Sequence, residues 1–126
     1  MPYILSVDDS RIIRRIMKGA IEALGYDILE AGDGCEGLEQ LKTHPNEVDL
    51  ILLDVNMPNL DGLETLKAIK ANPATAGIPV MMVTSEGERE QLIQAIQSGA
   101  TQYLTKPFTE DDLIAHIAEC LPQEGY

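Results

Sequence analysis

Short apolar runs alternate along the chain with longer segments whose apolar residues recur at helical spacing. The runs are YILSV (3–7), DILEA (27–31), LILLDV (50–55), PVMMVT (79–84) and QYLT (102–105), and each reads as a strand. After the first run, Ile12, Ile13, Ile16, Met17, Ala20, Ile21 and Leu24 form one stripe expected to be buried, with Ser10 as its N-cap and Gly25 as its stop. Helices are likewise expected over about 34–44, 63–71 and 86–98. A last helix shows Leu113, Ile114, Ile117, Ala118 and Leu121 as its stripe behind a Thr109 cap. Strict alternation with nearly continuous apolar central strands implies an α/β fold, a doubly wound parallel sheet with helices on both faces and right-handed crossovers. The Pro- and Gly-containing stretch 72–79 (NPATAGIP) is the longest loop, and no repeat or linker interrupts the pattern.

The length of 126 residues fits one domain spanning 1–126, large enough to bury roughly two thirds of its unfolded surface without metal or disulfide staples. Nine Lys and Arg against twenty-one Asp and Glu give a net charge of −12. Such a surface repels phosphodiester backbones and anionic lipid headgroups, so neither nucleic acid nor membrane is an expected partner. The N-terminus lacks a basic leader followed by a long apolar stretch, which makes a cytoplasmic location the expectation. Cys35 and Cys120 have neither C-x-x-C nor metal-ligand spacing, and both are expected as buried free thiols.

In an open parallel sheet, ligands sit outside the carboxyl ends of the strands. Here those ends carry Asp8 and Asp9, Asp54, Thr84 and Ser85, and Lys106 before Pro107. Taken singly, Asp8, Asp9 or Thr84 could cap the following helix and Lys106 could be a solvated loop lysine. Together the acids are costly, because two carboxylates about 4 Å apart repel by roughly 4 kcal/mol at an effective dielectric near 20. One lysine does not neutralise three acids. An all-oxygen cluster without His or Cys favours a hard divalent ion, and Mg²⁺, which leaves coordination positions for water and phosphate, fits better than Ca²⁺ in the absence of an EF-hand spacing. A carboxylate beside Mg²⁺, a lysine and a hydroxyl is placed to accept a phosphoryl group.

The motifs VDDS (7–10), LLDVNMPNLDG (52–62), VTS (83–85) and TKPF (105–108), in that order, resemble those of the receiver domains of two-component response regulators, the family of the single-domain chemotaxis protein CheY. The resemblance covers essentially the whole chain. It implies a five-stranded flavodoxin-like (βα)5 sheet with the strand order 2-1-3-4-5 known for CheY. It also implies that Asp54 is the phosphoacceptor, that Asp9, Asp54 and the Asn56 main-chain carbonyl bind Mg²⁺ directly, and that Asp8 binds it through water. Thr84 and Lys106 would contact the phosphoryl oxygens, and the Lys106-Pro107 peptide would be cis. Thr84 and Tyr103 would form the switch that alters the face built from helix four, strand five and helix five. Asn56 and Glu86 would tune phosphoryl lifetime, and their residue types match those of CheY, which points to a short-lived phosphoryl state. The phosphodonor would be a histidine kinase or a histidine phosphotransfer protein. Output would pass from a stand-alone monomeric receiver to a partner protein, the flagellar motor switch among the candidates.

Two rivals have different signatures. A Mg²⁺-dependent phosphatase of the haloacid dehalogenase type would carry a second Asp two residues after its nucleophile, where this chain has Asn56. A phosphorylation-independent pseudo-receiver would lack an Asp, the Thr or the Lys, and none is missing. His44 and His116 lie away from the strand ends and read as surface or packing residues, while Met17, Met81 and Met82 read as core and Met57 adjoins the site. Arg11, Arg14, Arg15 and Lys18 concentrate positive charge on helix one, as solvated charges or as a docking edge for an acidic, histidine-bearing helix. Beyond Lys106 there is no Lys or Arg, so an acidic target peptide is disfavoured on that side, unlike the basic motor-binding face expected of a chemotaxis member.

Overall fold

The computed structural model describes residues 2–55, 57, 61–85 and 87–121. Five strands alternate with five helices: β1 (Tyr3–Val7), α1 (Arg11–Ala23), β2 (Asp27–Ala31), α2 (Gly34–Thr43), β3 (Val48–Asp54), α3 (Gly62–Ala71), β4 (Val80–Thr84), α4 (Arg89–Gln97), β5 (Gln102–Thr105) and α5 (Glu110–Cys120). All strand pairs are parallel and the order is β2-β1-β3-β4-β5, as the family resemblance implies.

Side-chain alternation along the strands divides the core into two layers. Leu5, Val7, Ile51, Leu53, Val80 and Met82 face one way and pack with Leu66 and Ile69 of α3, Leu41 of α2 and Ala95 of α4. Ile4, Leu50, Leu52, Met81, Val83 and Leu104 face the other way and pack with Met17, Ala20 and Ile21 of α1 and Leu113 and Ile117 of α5. The central strands are apolar on both faces because helices cover both. Buried Ser6 meets its hydrogen-bonding need inside the α1 layer by donating to the Met17 sulfur at 2.8 Å.

The structure differs from the sequence reading at several points, each with a local cause. β3 begins two residues before the expected start, because a register irregularity between Tyr3 and Ile4 absorbs Asp49 and lets Val48 pair with Tyr3. α4 begins at Arg89, not near 86, because Gly87 adopts φ +96, outside the helical region, and the Glu88 carboxylate accepts from the Ser85 N–H instead of capping the helix. Ile12 is 73 % exposed and does not belong to the buried stripe of α1. It lies five positions from Met17, about 140° around the helix. Cys35 is exposed and Cys120 half-buried, since Cys35 lies on the outer side of α2 and Cys120 in the last turn of α5.

The caps expected at Ser10 and Thr109 form, and Asp33 and Asp61 add two that the sequence reading did not name. The Ser10 side chain accepts from Ile13 N, and Asp33 and Asp61 cap α2 and α3 in the same way. Thr109 forms a full capping box with Asp112, the two exchanging backbone and side-chain bonds at 3.1 Å in each direction. These bonds hold the Asp112 carboxyl below its usual range. His44 packs its ring against Tyr3 with centroids 5.0 Å apart, and His116 Nδ1 lies 2.8 Å from the Asp112 carbonyl oxygen. In the long loop, the Lys70 ammonium donates to the Ala76 and Ile78 carbonyls at 3.0 and 2.9 Å. Thr109→Ala is expected to lower stability by about 1 kcal/mol in urea unfolding, with most of the loss recovered by Thr109→Asp; equal stability of all three proteins would show that the box contributes nothing.

Candidate phosphoacceptor and metal site

The same alternation that sorts the core sorts the strand ends. Asp8 lies two residues beyond Ser6, Asp54 two beyond Leu52 and Lys106 two beyond Leu104, and those three precursors face the α1 and α5 layer. Thr84 follows the opposite parity, two residues beyond Met82 on the α3 and α4 side, and Tyr103 pairs with Met82 on that side. Each strand end is extended by one further backbone bond to its neighbour. Asp8 N donates to Ala31 O at 3.0 Å, Val55 N to Val83 O at 2.9 Å and Lys106 N to Thr84 O at 2.6 Å. The Lys106-Pro107 peptide is cis, as the resemblance implies.

These constraints bring Asp8, Asp9 and Asp54 together, with one carboxylate oxygen from each lying within 4.8 Å of the others. Asp8 and Asp54 are buried, at 0 % and 3 % exposure, and Asp9 is exposed. The Lys106 ammonium stands 3.5 Å from Asp8 Oδ2 and 3.5 Å from Asp54 Oδ2, bridging the two buried acids. Asp8 Oδ1 accepts from Ser10 N at 2.8 Å, whereas its buried Oδ2 has ion-pair proximity to Lys106 but no directed hydrogen bond. Burial pushes the Asp8 carboxyl above its usual range, and Asp9 adds to the rise; the Ser10 N–H and Lys106 pull the other way and do not cancel it.

One ammonium against three carboxylates leaves the cluster short of positive charge. An orphaned buried oxygen and an all-carboxylate donor set fit a hard divalent cation such as Mg²⁺, whose oxygens lie about 2.1 Å from the metal. The exposed member, Asp9, is the one whose rotation can tighten the set.

Thr84 is buried one residue beyond Val83, which pairs with Asp54, and among the described residues its Oγ1 contact is a long one of 3.4 Å to the Ser85 carbonyl. Tyr103 is 46 % exposed. Met57 is buried in the α3-side layer next to the site. Asn56 and Glu86 lie outside the described residues.

Gly62 is a site residue that the sequence reading left without a role. The chain returns after β3 so that Gly62 N donates to Val55 O at 3.0 Å, and a Cβ at this position would overlap the Asp54 carbonyl oxygen. Only glycine admits this approach. The available signal is the Asp61-Gly62 pair at the head of a helix, with Asp61 capping and Gly62 as the first helical residue.

Comparison with known proteins gives one consistent picture. A family model described as the response regulator receiver domain matches residues 4–118. Chemotaxis protein CheY1 of Helicobacter pylori is 39% identical over 107 residues, which are 84% of this chain and 86% of that protein. Chemotaxis protein CheY-3 of Vibrio cholerae is 42% identical over 107 residues, 84% of this chain and 81% of that protein. Among solved structures, the chemotaxis response regulator CheY4 of Vibrio cholerae superposes with a TM-score of 0.87 at 33% identity, covering 96% of this chain and 99% of that one.

The Asp8 environment generates a pH-dependent prediction. In EDTA, so that no metal contributes, Asp8→Asn is expected to raise the thermal midpoint at neutral pH. A carboxyl whose folded pKa is raised contributes full stability below its unfolded value of about 3.9 and loses it as pH rises through the folded value. The advantage of the Asn variant should therefore close as pH falls below the ordinary carboxylate range, and a variant less stable than the parent at pH 7 would show that Lys106 outweighs burial.

Proposed function

The chain belongs to the receiver domain family of response regulators, the phosphoacceptors of two-component signalling, and on that premise we propose that Asp54 accepts a phosphoryl group from a phosphohistidine. The observation that carries this reading is the buried Asp54 carboxylate, 3.5 Å from a lysine it shares with a second buried acid. In the proposed step an Asp54 oxygen attacks phosphorus while the N–P bond to the donor imidazole breaks, giving an acyl phosphate and a free histidine. Lys106 offsets charge on the phosphoryl oxygens, and the Thr84 hydroxyl donates to them once it turns from the Ser85 carbonyl. Water later attacks phosphorus, the P–O bond to Asp54 breaks, and inorganic phosphate leaves. The domain thus supplies groups for its own phosphorylation and dephosphorylation.

Mg²⁺, when bound, supplies positive charge to the transferring group. Asp9 and Asp54 are assigned as its direct ligands with the Asn56 main-chain carbonyl, and Asp8 as a ligand through water. Asn56 and Glu86 are assigned to tuning access of the hydrolytic water. Burial of Asp8 and Asp54 supports this assignment, because two buried acids are better compensated by a divalent ion than by one lysine alone.

Signalling is assigned to a displacement of Thr84 coupled to an inward turn of Tyr103, which would change the face formed by α4, β5 and α5. The exposure of the Tyr103 side chain supports its assignment as the outward position of that pair. The donor is a histidine kinase or histidine phosphotransfer protein. The overlap with CheY1, 84% of this chain and 86% of that protein, supports a CheY-like receiver acting through a partner, with the flagellar motor switch as first candidate; a monomeric, stand-alone state and a cytoplasmic location belong to the same proposal. Among the described residues no helix is long and apolar enough to cross a membrane.

Intact-mass spectrometry after incubation with acetyl phosphate tests the chemistry. One Mg²⁺-dependent phosphoryl adduct is expected, absent in Asp54→Asn and strongly reduced in Lys106→Ala. Absence of both an adduct and Mg²⁺-dependent phosphate release would overturn the assignment of Asp54. For the pathway, the phosphorylated domain is expected to enrich the motor switch protein in a pull-down over the unphosphorylated form, and equal recovery would remove chemotaxis as the output.

A further inference from the structure

We propose that the first half of α1 carries a second anion site, separate from the Asp54 cluster, which takes a small ligand of the nucleoside diphosphate class. Arg11, Arg14, Arg15 and Lys18 hold four of the nine cations of the chain and stand at helical spacings of three, four and seven, so they share one stripe. With Glu30 of β2 they line a depression of about 280 Å³ to which none of Asp8, Asp9, Asp54, Thr84 and Lys106 contributes.

Three local rules are broken at this stripe. First, like charges three and four residues apart on a helix repel. Second, two arginines sit in the first turn of α1, which contains no acid, so positive charge faces the positive end of the helix dipole. Third, Arg14 Nε is buried without a hydrogen-bond acceptor. Lys42, by contrast, pairs with Glu39 at 3.7 Å, and Lys106 with two aspartates. In a chain of net charge −12, acids to pair these four cations are abundant. Yet among the described residues none forms an ion pair with Arg11, Arg14, Arg15 or Lys18. Local costs of this kind concentrate at binding sites.

The composition of the depression defines the ligand. Three of its four cations are arginines, whose planar forks match phosphate oxygens in pairs, and a turn of the Arg14 side chain would bring its Nε–Nη edge to such an oxygen. The volume of about 280 Å³ suits a diphosphate with one attached group. Glu30 in the wall can accept a hydrogen bond from a ribose hydroxyl or a base amine. A nucleoside diphosphate supplies both features.

The test uses the full chain in EDTA, which keeps phosphate from being held at the acidic cluster through metal. Sodium pyrophosphate and ADP are titrated while the arginine Nε–H resonances are followed by NMR, with affinities from calorimetry. Saturable shifts at Arg14 and Arg15 are expected, with ADP the tighter ligand. Affinity should fall about tenfold in Arg14→Gln and in Arg15→Gln, remain in Asp54→Asn, and in Glu30→Gln fall for ADP but not for pyrophosphate. Thermal melts of each variant confirm folding. No saturable shift with either probe, or equal binding by the Arg14→Gln, Arg15→Gln double variant, would overturn the site. Binding of pyrophosphate alone would overturn the nucleoside. Loss of histidine kinase docking in that double variant, without any small-anion binding, would assign the stripe to protein recognition instead. The inference is independent of Asp54 chemistry, which the mass adduct reports separately.

Discussion

Two buried acids stand at the carboxyl ends of β1 and β3, and one ammonium lies 3.5 Å from each. That arrangement is electrostatically unfinished: a carboxylate out of water is costly, and the lysine offsets only part of the cost. The surrounding fold keeps the groups from escaping it. Asp54 follows four consecutive fully buried residues of β3, and Asp8 follows a β1 segment buried from Ile4 onward, so neither can move without dragging core side chains with it. The packing energy of the sheet is what holds the charges together. The site is therefore a poised deficit of positive charge, and any ligand that supplies such charge is favoured there.

The backbone around Asp54 reinforces this. Gly62 presses the start of α3 against the Asp54 carbonyl, and Val55 continues the ladder to β4 by one bond. The acidic side chain thus projects from a segment fixed on two sides, a rigidity that suits the phosphoacceptor role proposed for Asp54, since a reacting group needs its orientation set beforehand.

Where one physical signal dominated, the sequence was readable. The five strands are legible because runs such as LILL have no amphipathic alternative, and the caps at Ser10 and Thr109 because a hydroxyl before an apolar-periodic segment has few other uses. The clustering of the strand-end acids with Lys106 is legible because the topology brings all carboxyl ends to one edge. The rest depends on contacts between segments. Ile12 matches the composition of a buried stripe, and only its angle relative to Met17 exposes it. The start of α4 is set by Gly87 and by the choice of Glu88 to bond backward to Ser85, and an identical sequence could have capped a longer helix. Gly62 reads as a turn residue until the neighbouring carbonyl is in place. Arg14 shows its buried, unpartnered nitrogen only in three dimensions.

The parity of the strand-end residues has a further implication. Asp8, Asp54 and Lys106 belong to the layer of α1 and α5, whereas Thr84 and Tyr103 belong to the layer of α4. In the proposed function the sheet lies between the reacting groups and the pair Thr84 and Tyr103, while α5 and Leu104 of β5, parts of the proposed output face, share the layer of the reacting groups. Under that proposal α4 can be redrawn for a new listener without touching the reacting layer, whereas changes in the buried side of α5 reach it.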